Sequence, residues 1–123
     1  MHGLRVLIVE DELVIVMELE NLLRGLGCIV LDPAPTVRAA LRTLAGERPD
    51  VAVLDVNLQG ERRVTPVAEA LREQGVPFVL VTGYGSERLH EEALQDAAHL
   101  RKPVEAHLLA RALAEALARH EHG

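Results

Sequence analysis

Five short apolar runs, at residues 4–9, 28–31, 51–54, 78–81 and 98–101, alternate with longer stretches in which apolar residues recur every three or four positions. Runs without alternation suit strands covered on both faces, and the longer recurrence is that of helices with one buried side. The first run, LRVLIV, is broken only by Arg5. Behind it, Val16, Leu19, Leu23 and Leu26 predict a helix that Asp11 caps and Gly25 and Gly27 close. CIVL then reads as a second strand, Pro33 and Pro35 as a turn, and Thr36 as the cap of a helix carrying Val37, Leu41 and Leu44 up to Gly46. In the third unit residues 51–54 are the strand and residues 66–74 the helix, with Pro66 at the first helical position and Thr65 before it as cap.

The fourth run leads through Gly83 and Gly85 into SERLHEEALQDA, a polar segment that predicts only a weak helix. Residues 98–101 form a short fifth strand, and residues 104–120 a long helix whose inward stripe is Val104, Leu108, Leu109, Leu113 and Leu117. Such alternation calls for a parallel sheet with helices on both faces, because each right-handed crossover returns beside the sheet. Ligands of these sheets bind outside the carboxyl ends of the strands.

Charge gathers at that edge. A buried apolar strand has no use for acid at its carboxyl end, yet Glu10 and Asp11 follow the first strand and Asp55 the third, while Thr82 and Lys102 end the fourth and fifth. Three neighbouring carboxylates stay ionised together only with a cation, and an all-oxygen set favours a hard one such as Mg2+. A carboxylate beside Mg2+ can attack phosphorus to give an aspartyl phosphate. Lys102 would then supply a compact charge and Thr82 a neutral hydrogen bond to the phosphoryl oxygens, and Gly83 would leave room for the group.

Composition narrows the picture further. The 123 residues suit one domain, 1–123, with no linker to an output domain, and 49% hydrophobic with 26% charged content is that of an ordinary globular chain. A formal charge of −6, with thirteen Lys and Arg scattered among acids, argues against nucleic-acid contact. The lone Cys28 cannot form an internal disulfide and sits in an apolar run, so a reducing, cytoplasmic setting is expected. Nothing approaches the roughly 18 to 20 apolar residues of a membrane span, so membrane insertion is not expected, and acids interrupt the N-terminus where a signal peptide would be apolar.

The acidic pair in LIVEDE, the strand-end Asp of VAVLDVNLQG, the hydroxyl of VTGYG and the Lys-Pro of LRKP, in this order, resemble the receiver domain of bacterial two-component response regulators. The resemblance spans essentially the whole chain. It implies a flavodoxin-like (βα)5 fold with strand order 2-1-3-4-5, Asp55 as phosphoacceptor, and Mg2+ held by Asp11 and Asp55, by Glu10 through water and by the Asn57 carbonyl. It also implies Thr82, Gly83 and Lys102 around the phosphoryl group, a cis peptide before Pro103, and a histidine kinase or phosphotransfer protein as donor, with a downstream protein effector that the residues do not identify. Such a chain is a signalling protein rather than an enzyme. VTGYG, with NLQGE and VTPVAEAL, further resembles a receiver subgroup carrying a Phe-Ala-Thr-Gly-Tyr type motif, which often lacks an output domain; Val81 stands in place of its Ala.

One departure bears on signalling. Many receivers place Tyr or Phe three residues before the Lys, where this chain has His99, leaving Tyr84 as the aromatic beside the phosphate-contacting loop. Tyr84 and the segment 86–97 are therefore switch candidates, with His99 read as a partly buried strand residue. Competing readings are a receiver-like adaptor that is never phosphorylated, a small flavin- or nucleotide-binding protein, and a phosphomonoester hydrolase. EDEL after the first strand would repel phosphate in the second of these, and Asn57 holds the place of the general acid that the third requires.

Overall fold

The computed structural model describes residues 1–58, 64–83 and 97–122, in the order β1 (Arg5–Val9), α1 (Leu13–Gly25), β2 (Ile29–Val30), α2 (Val37–Gly46), β3 (Val51–Asp55), α3 (Thr65–Glu73), β4 (Phe78–Thr82), β5 (Ala98–Arg101) and α4 (Ala106–His122). All strand pairs are parallel and the order is β2-β1-β3-β4-β5, as expected for a flavodoxin-like sheet. The expected weak helix after β4, together with Tyr84, lies outside the described residues.

Because alternate residues of a strand point to opposite faces, the unbroken apolar runs feed two cores. Leu7, Val9, Ala52, Leu54, Phe78 and Leu80 pack with Ala40 and Leu44 of α2 and Val67, Ala68 and Leu71 of α3. Val6, Ile8, Val51, Val53, Val79 and Val81 pack on the other side with Leu19 and Leu23 of α1 and Leu109 and Leu113 of α4. β1, β3 and β4 are covered on both faces, which is why their sequences lack alternation.

Where observed elements depart from the sequence pattern, a competing contact explains it. Thr36 caps α2 as expected, accepting the Ala39 N–H at 3.0 Å. Asp11 does not cap α1: Glu12 holds the N-cap without a side-chain bond, and Asp11 offers its carboxylate to the acid cluster instead. Thr65 is the first residue of α3, and Val64, which is buried, occupies the cap position. β3 and β4 run one residue beyond their apolar stretches, to Asp55 and Thr82, because Val56 N–H donates to Val81 O and Lys102 N–H to Thr82 O. Gly27 closes the turn after α1 with φ +91°, a left-handed conformation that glycine adopts without the strain a side chain brings.

Two residues expected inside are exposed, Leu41 of α2 and Leu108 of α4, each at 37%. Neighbours already fill those faces, through Ala40 and Leu44 in α2 and Leu109 and Leu113 in α4. Val104 precedes α4 rather than belonging to it, yet packs against the same core. Replacing Leu113 by Ala is expected to cost about 2–5 kcal/mol in urea unfolding, whereas Leu41→Ala should stay within about 1 kcal/mol.

Candidate functional site

Strand register brings the polar ends together. Val9 pairs with Leu54, so the residues that follow them, Glu10 and Asp55, stand side by side. Asp55 pairs with Val81 and Thr82 with Arg101, which places Thr82 and then Lys102 on the same edge. Backbone bonds from Glu10 N–H to Ala34 O at 3.0 Å and from Lys102 N–H to Thr82 O at 2.8 Å hold these ends in place. The Lys102–Pro103 peptide is cis.

Among the described residues Glu10, Asp55 and Thr82 are the buried polar ones, at 2%, 2% and 6% exposure. Burying charge is costly unless it is paired and hydrogen-bonded. Lys102 Nζ lies 3.2 Å from Glu10 Oε1, 3.5 Å from Asp55 Oδ1 and 3.7 Å from Glu12 Oε1. The Glu12 N–H donates to Glu10 Oε2 at 3.1 Å and the Asn57 N–H to Asp55 Oδ1 at 3.0 Å. Thr82 Oγ1 donates to Leu100 O at 3.4 Å. Asp55 Oδ2, though buried, receives no hydrogen bond among the described residues.

That under-satisfied oxygen bears on cation binding. One carboxylate oxygen from each of Glu10, Asp11 and Asp55 falls within 4.8 Å of the others, a hard, all-oxygen donor set that fits a small divalent ion. Burial, reinforced by the Asp55 charge, pushes Glu10 up from 4.5 to about 7, even though the Glu12 N–H and Lys102 act in the opposite direction. Burial alone would depress Lys102, but Asp55 and Glu10 outweigh it and hold the ammonium above its ordinary value. Among the described residues the site therefore keeps one ammonium against several carboxylates.

Asn57 follows β3 on the exposed side of the site. Among the described residues a Cβ on Gly83 would meet only Asn57 Nδ2, at 4.0 Å. A cavity of about 640 Å³ continues from Gly83, Asn57 and Lys102 to an apolar wall of Ile15, Leu19, Leu22 and Val104. His99 is exposed on β5, paired with Leu80, rather than partly buried as the sequence suggested, because β5 is the edge strand of the sheet. The contact that sequence reasoning missed is Glu12 on Lys102; its only signal was the third acid in the run EDE.

A doubly wound parallel sheet with acids, a hydroxyl and a lysine on its carboxyl edge defines a class, and comparison with known proteins defines the family. The response regulator receiver domain matches residues 6–114, and the chain belongs to that family. The phyllosphere-induced regulator PhyR of Methylorubrum extorquens strain AM1 is 31% identical over 114 residues, covering 91% of this chain and 43% of that protein. This chain thus spans less than half the length of that relative. The solution structure of SdrG from Sphingomonas melonis Fr1 is 41% identical with a TM-score of 0.82, over 94% of this chain and 97% of SdrG. The signal receiver domain of a modulated diguanylate cyclase from Desulfovibrio desulfuricans G20 superposes with a TM-score of 0.86 at 28% identity, over 97% of both chains. Receiver domains are signalling modules, and no helix among the described residues is long and apolar enough to cross a membrane.

The raised Glu10 contributes a pH dependence to the stability of the metal-free protein. Between about 4.5, the unfolded value, and about 7 the folded state holds the extra proton, so the stabilisation is complete below that window and is lost as pH rises through it. Thermal unfolding in a chelator should show stability falling by on the order of 1–3 kcal/mol from pH 4.5 to 7.5, and Glu10→Gln should remove most of that slope.

Proposed function

We propose that this chain accepts a phosphoryl group on Asp55 from a histidine kinase or a phosphotransfer protein. It then signals by binding a protein effector in a phosphorylation-dependent way, or drains phosphate from a shared relay. The observation that carries this reading is the buried Asp55 carboxylate with one oxygen committed to Asn57 and Lys102 and the other, Oδ2, without a hydrogen bond among the described residues. Asp55 Oδ2 is the oxygen available to attack phosphorus. A P–O bond forms as the P–N bond to the donor imidazole breaks, and the imidazole nitrogen keeps the electron pair.

Glu10, Asp11 and Asp55, with the Asn57 carbonyl, are the residues that would hold Mg2+, and the donor chemistry fits it. Mg2+, when bound, supplies positive charge against the acids and the phosphoryl oxygens. Lys102 then neutralises a phosphoryl oxygen as a point charge, Thr82 turns its hydroxyl from Leu100 O toward another, and Gly83, having no side chain, leaves room for the group. The two conformations biased in this way would bind partners differently. VTGYG, with NLQGE and VTPVAEAL, supports a place in the Phe-Ala-Thr-Gly-Tyr type subgroup. A cytoplasmic receiver is the reading that fits best.

The donor would dock on α1 beside the site. Leu13, Val14 and Met17 are exposed at 72%, 68% and 54%, and Ile15 lines the cavity that opens on Lys102. Exposed apolar groups adjoining a reactive edge suit a transient protein contact.

Incubation with acetyl phosphate and Mg2+ should add one phosphoryl mass to the wild type and none to Asp55→Asn. Absence of an adduct from either a small donor or a kinase would refute the reading. Ile15→Glu should slow transfer from a phosphohistidine protein at least tenfold more than transfer from acetyl phosphate; equal slowing would exclude docking through α1.

A further inference from the structure

We infer that Glu12 is a rate-limiting competitor for Lys102, holding the ammonium in the resting state and releasing it to the incoming phosphoryl group, so that this one exposed carboxylate tunes how readily the site is loaded. The inference rests on Asp55 being the phosphoacceptor and goes beyond it by assigning regulation to a residue outside the acceptor and metal-binding set.

The geometry carries it. The single Lys102 charge is shared by ion pairing among three carboxylates, at 3.2 Å from Glu10, 3.5 Å from Asp55 and 3.7 Å from Glu12. A phosphoryl oxygen that takes up that charge draws it from at least one of them. The side chains of Glu10 and Asp55 are 1% exposed, so losing the lysine would strand them in a poorly solvated site, whereas the Glu12 side chain is 61% exposed and is resolvated at once. The longest and wettest contact is the one that breaks.

Glu12 is also placed for this task and not held by another. It occupies the N-cap of α1, but its side chain makes no capping bond, so the carboxylate reaches the lysine instead of the helix. Its backbone N–H is fixed on Glu10 Oε2 at 3.1 Å, which anchors its start at the site. Together with Gly83, Asn57 and Lys102 it lines the cavity at this edge of the sheet. Its negative charge therefore opposes an anionic donor at the mouth as well as occupying the cation inside.

The test compares wild type, Glu12→Gln and Glu12→Asp using beryllofluoride with Mg2+ as the phosphoryl mimic, and acetyl phosphate as donor. For an exposed pair the expected effect is about two- to fivefold. Glu12→Gln should reach half-saturation at lower beryllofluoride concentration and label faster by that factor, with Mg2+ affinity and thermal stability nearly unchanged. Because the contact is electrostatic and solvated, the ratio should shrink toward one between about 0.05 and 0.5 M salt, and Glu12→Asp, which keeps the charge, should fall nearer the wild type. An unchanged half-saturation, a ratio indifferent to salt, or a parallel shift in Mg2+ affinity would overturn the inference. A wild type that neither binds beryllofluoride nor becomes labelled would instead refute the phosphoacceptor reading on which it stands.

Discussion

Everything at the carboxyl edge depends on two carboxyl groups, Glu10 and Asp55, being buried side by side at the end of an apolar sheet. Water is nearly excluded from both, and the described residues provide one ammonium and two backbone N–H groups in its place. Breaking such a buried arrangement by removing a partner is costly, while the arrangement itself adds little stability. The site is therefore maintained for its chemistry, and among the described residues its acids outnumber the one ammonium, which favours a cation. Burial above all raises Glu10, and the same buried position leaves Asp55 Oδ2 without a hydrogen bond among the described residues.

The opposite edge of the sheet shows the contrast. There Arg5 pairs with Glu47 and donates to Arg48 O, the Arg5 N–H donates to Asp50 Oδ2, and Arg48 donates to Gln74 O and Gly75 O at the end of α3. Gln74 in turn donates to Leu44 O in α2. Most of these bonds are exposed and tie helix ends to strand starts. Polar groups at the amino edge are satisfied in solvent and stabilise; those at the carboxyl edge are buried and under-satisfied and react.

Apolar runs and helical recurrences placed the strands and the described helices in the right order, because burial on both faces of a parallel sheet leaves a direct trace in residue type. Finer features had no such trace. Asp11 has the chemistry of a cap, but a carboxylate beside Glu10 and Asp55 serves the acid cluster, and only the fold brings those residues together. Leu41 and Leu108 match the helical stripe but lie at its margin, where Ala40 and Leu109 already fill the inward position. His99 sits in an apolar strand yet is exposed, because a strand at the edge of a sheet loses cover that a central strand keeps.

The sequence by itself determined the periodicities, the acids at the ends of β1 and β3 and the hydroxyl and lysine at the ends of β4 and β5, since these follow from local burial and residue chemistry. The tertiary structure decided how far each charge is from the next. Register between β1 and β3 sets Glu10 beside Asp55, and the turn of the chain into α1 brings Glu12 to 3.7 Å from Lys102, ninety positions away in the sequence. No local pattern encodes that distance. It is fixed by the packing of α1 and α4 on a common face of the sheet, where Leu19, Leu23, Leu109 and Leu113 meet the same strands.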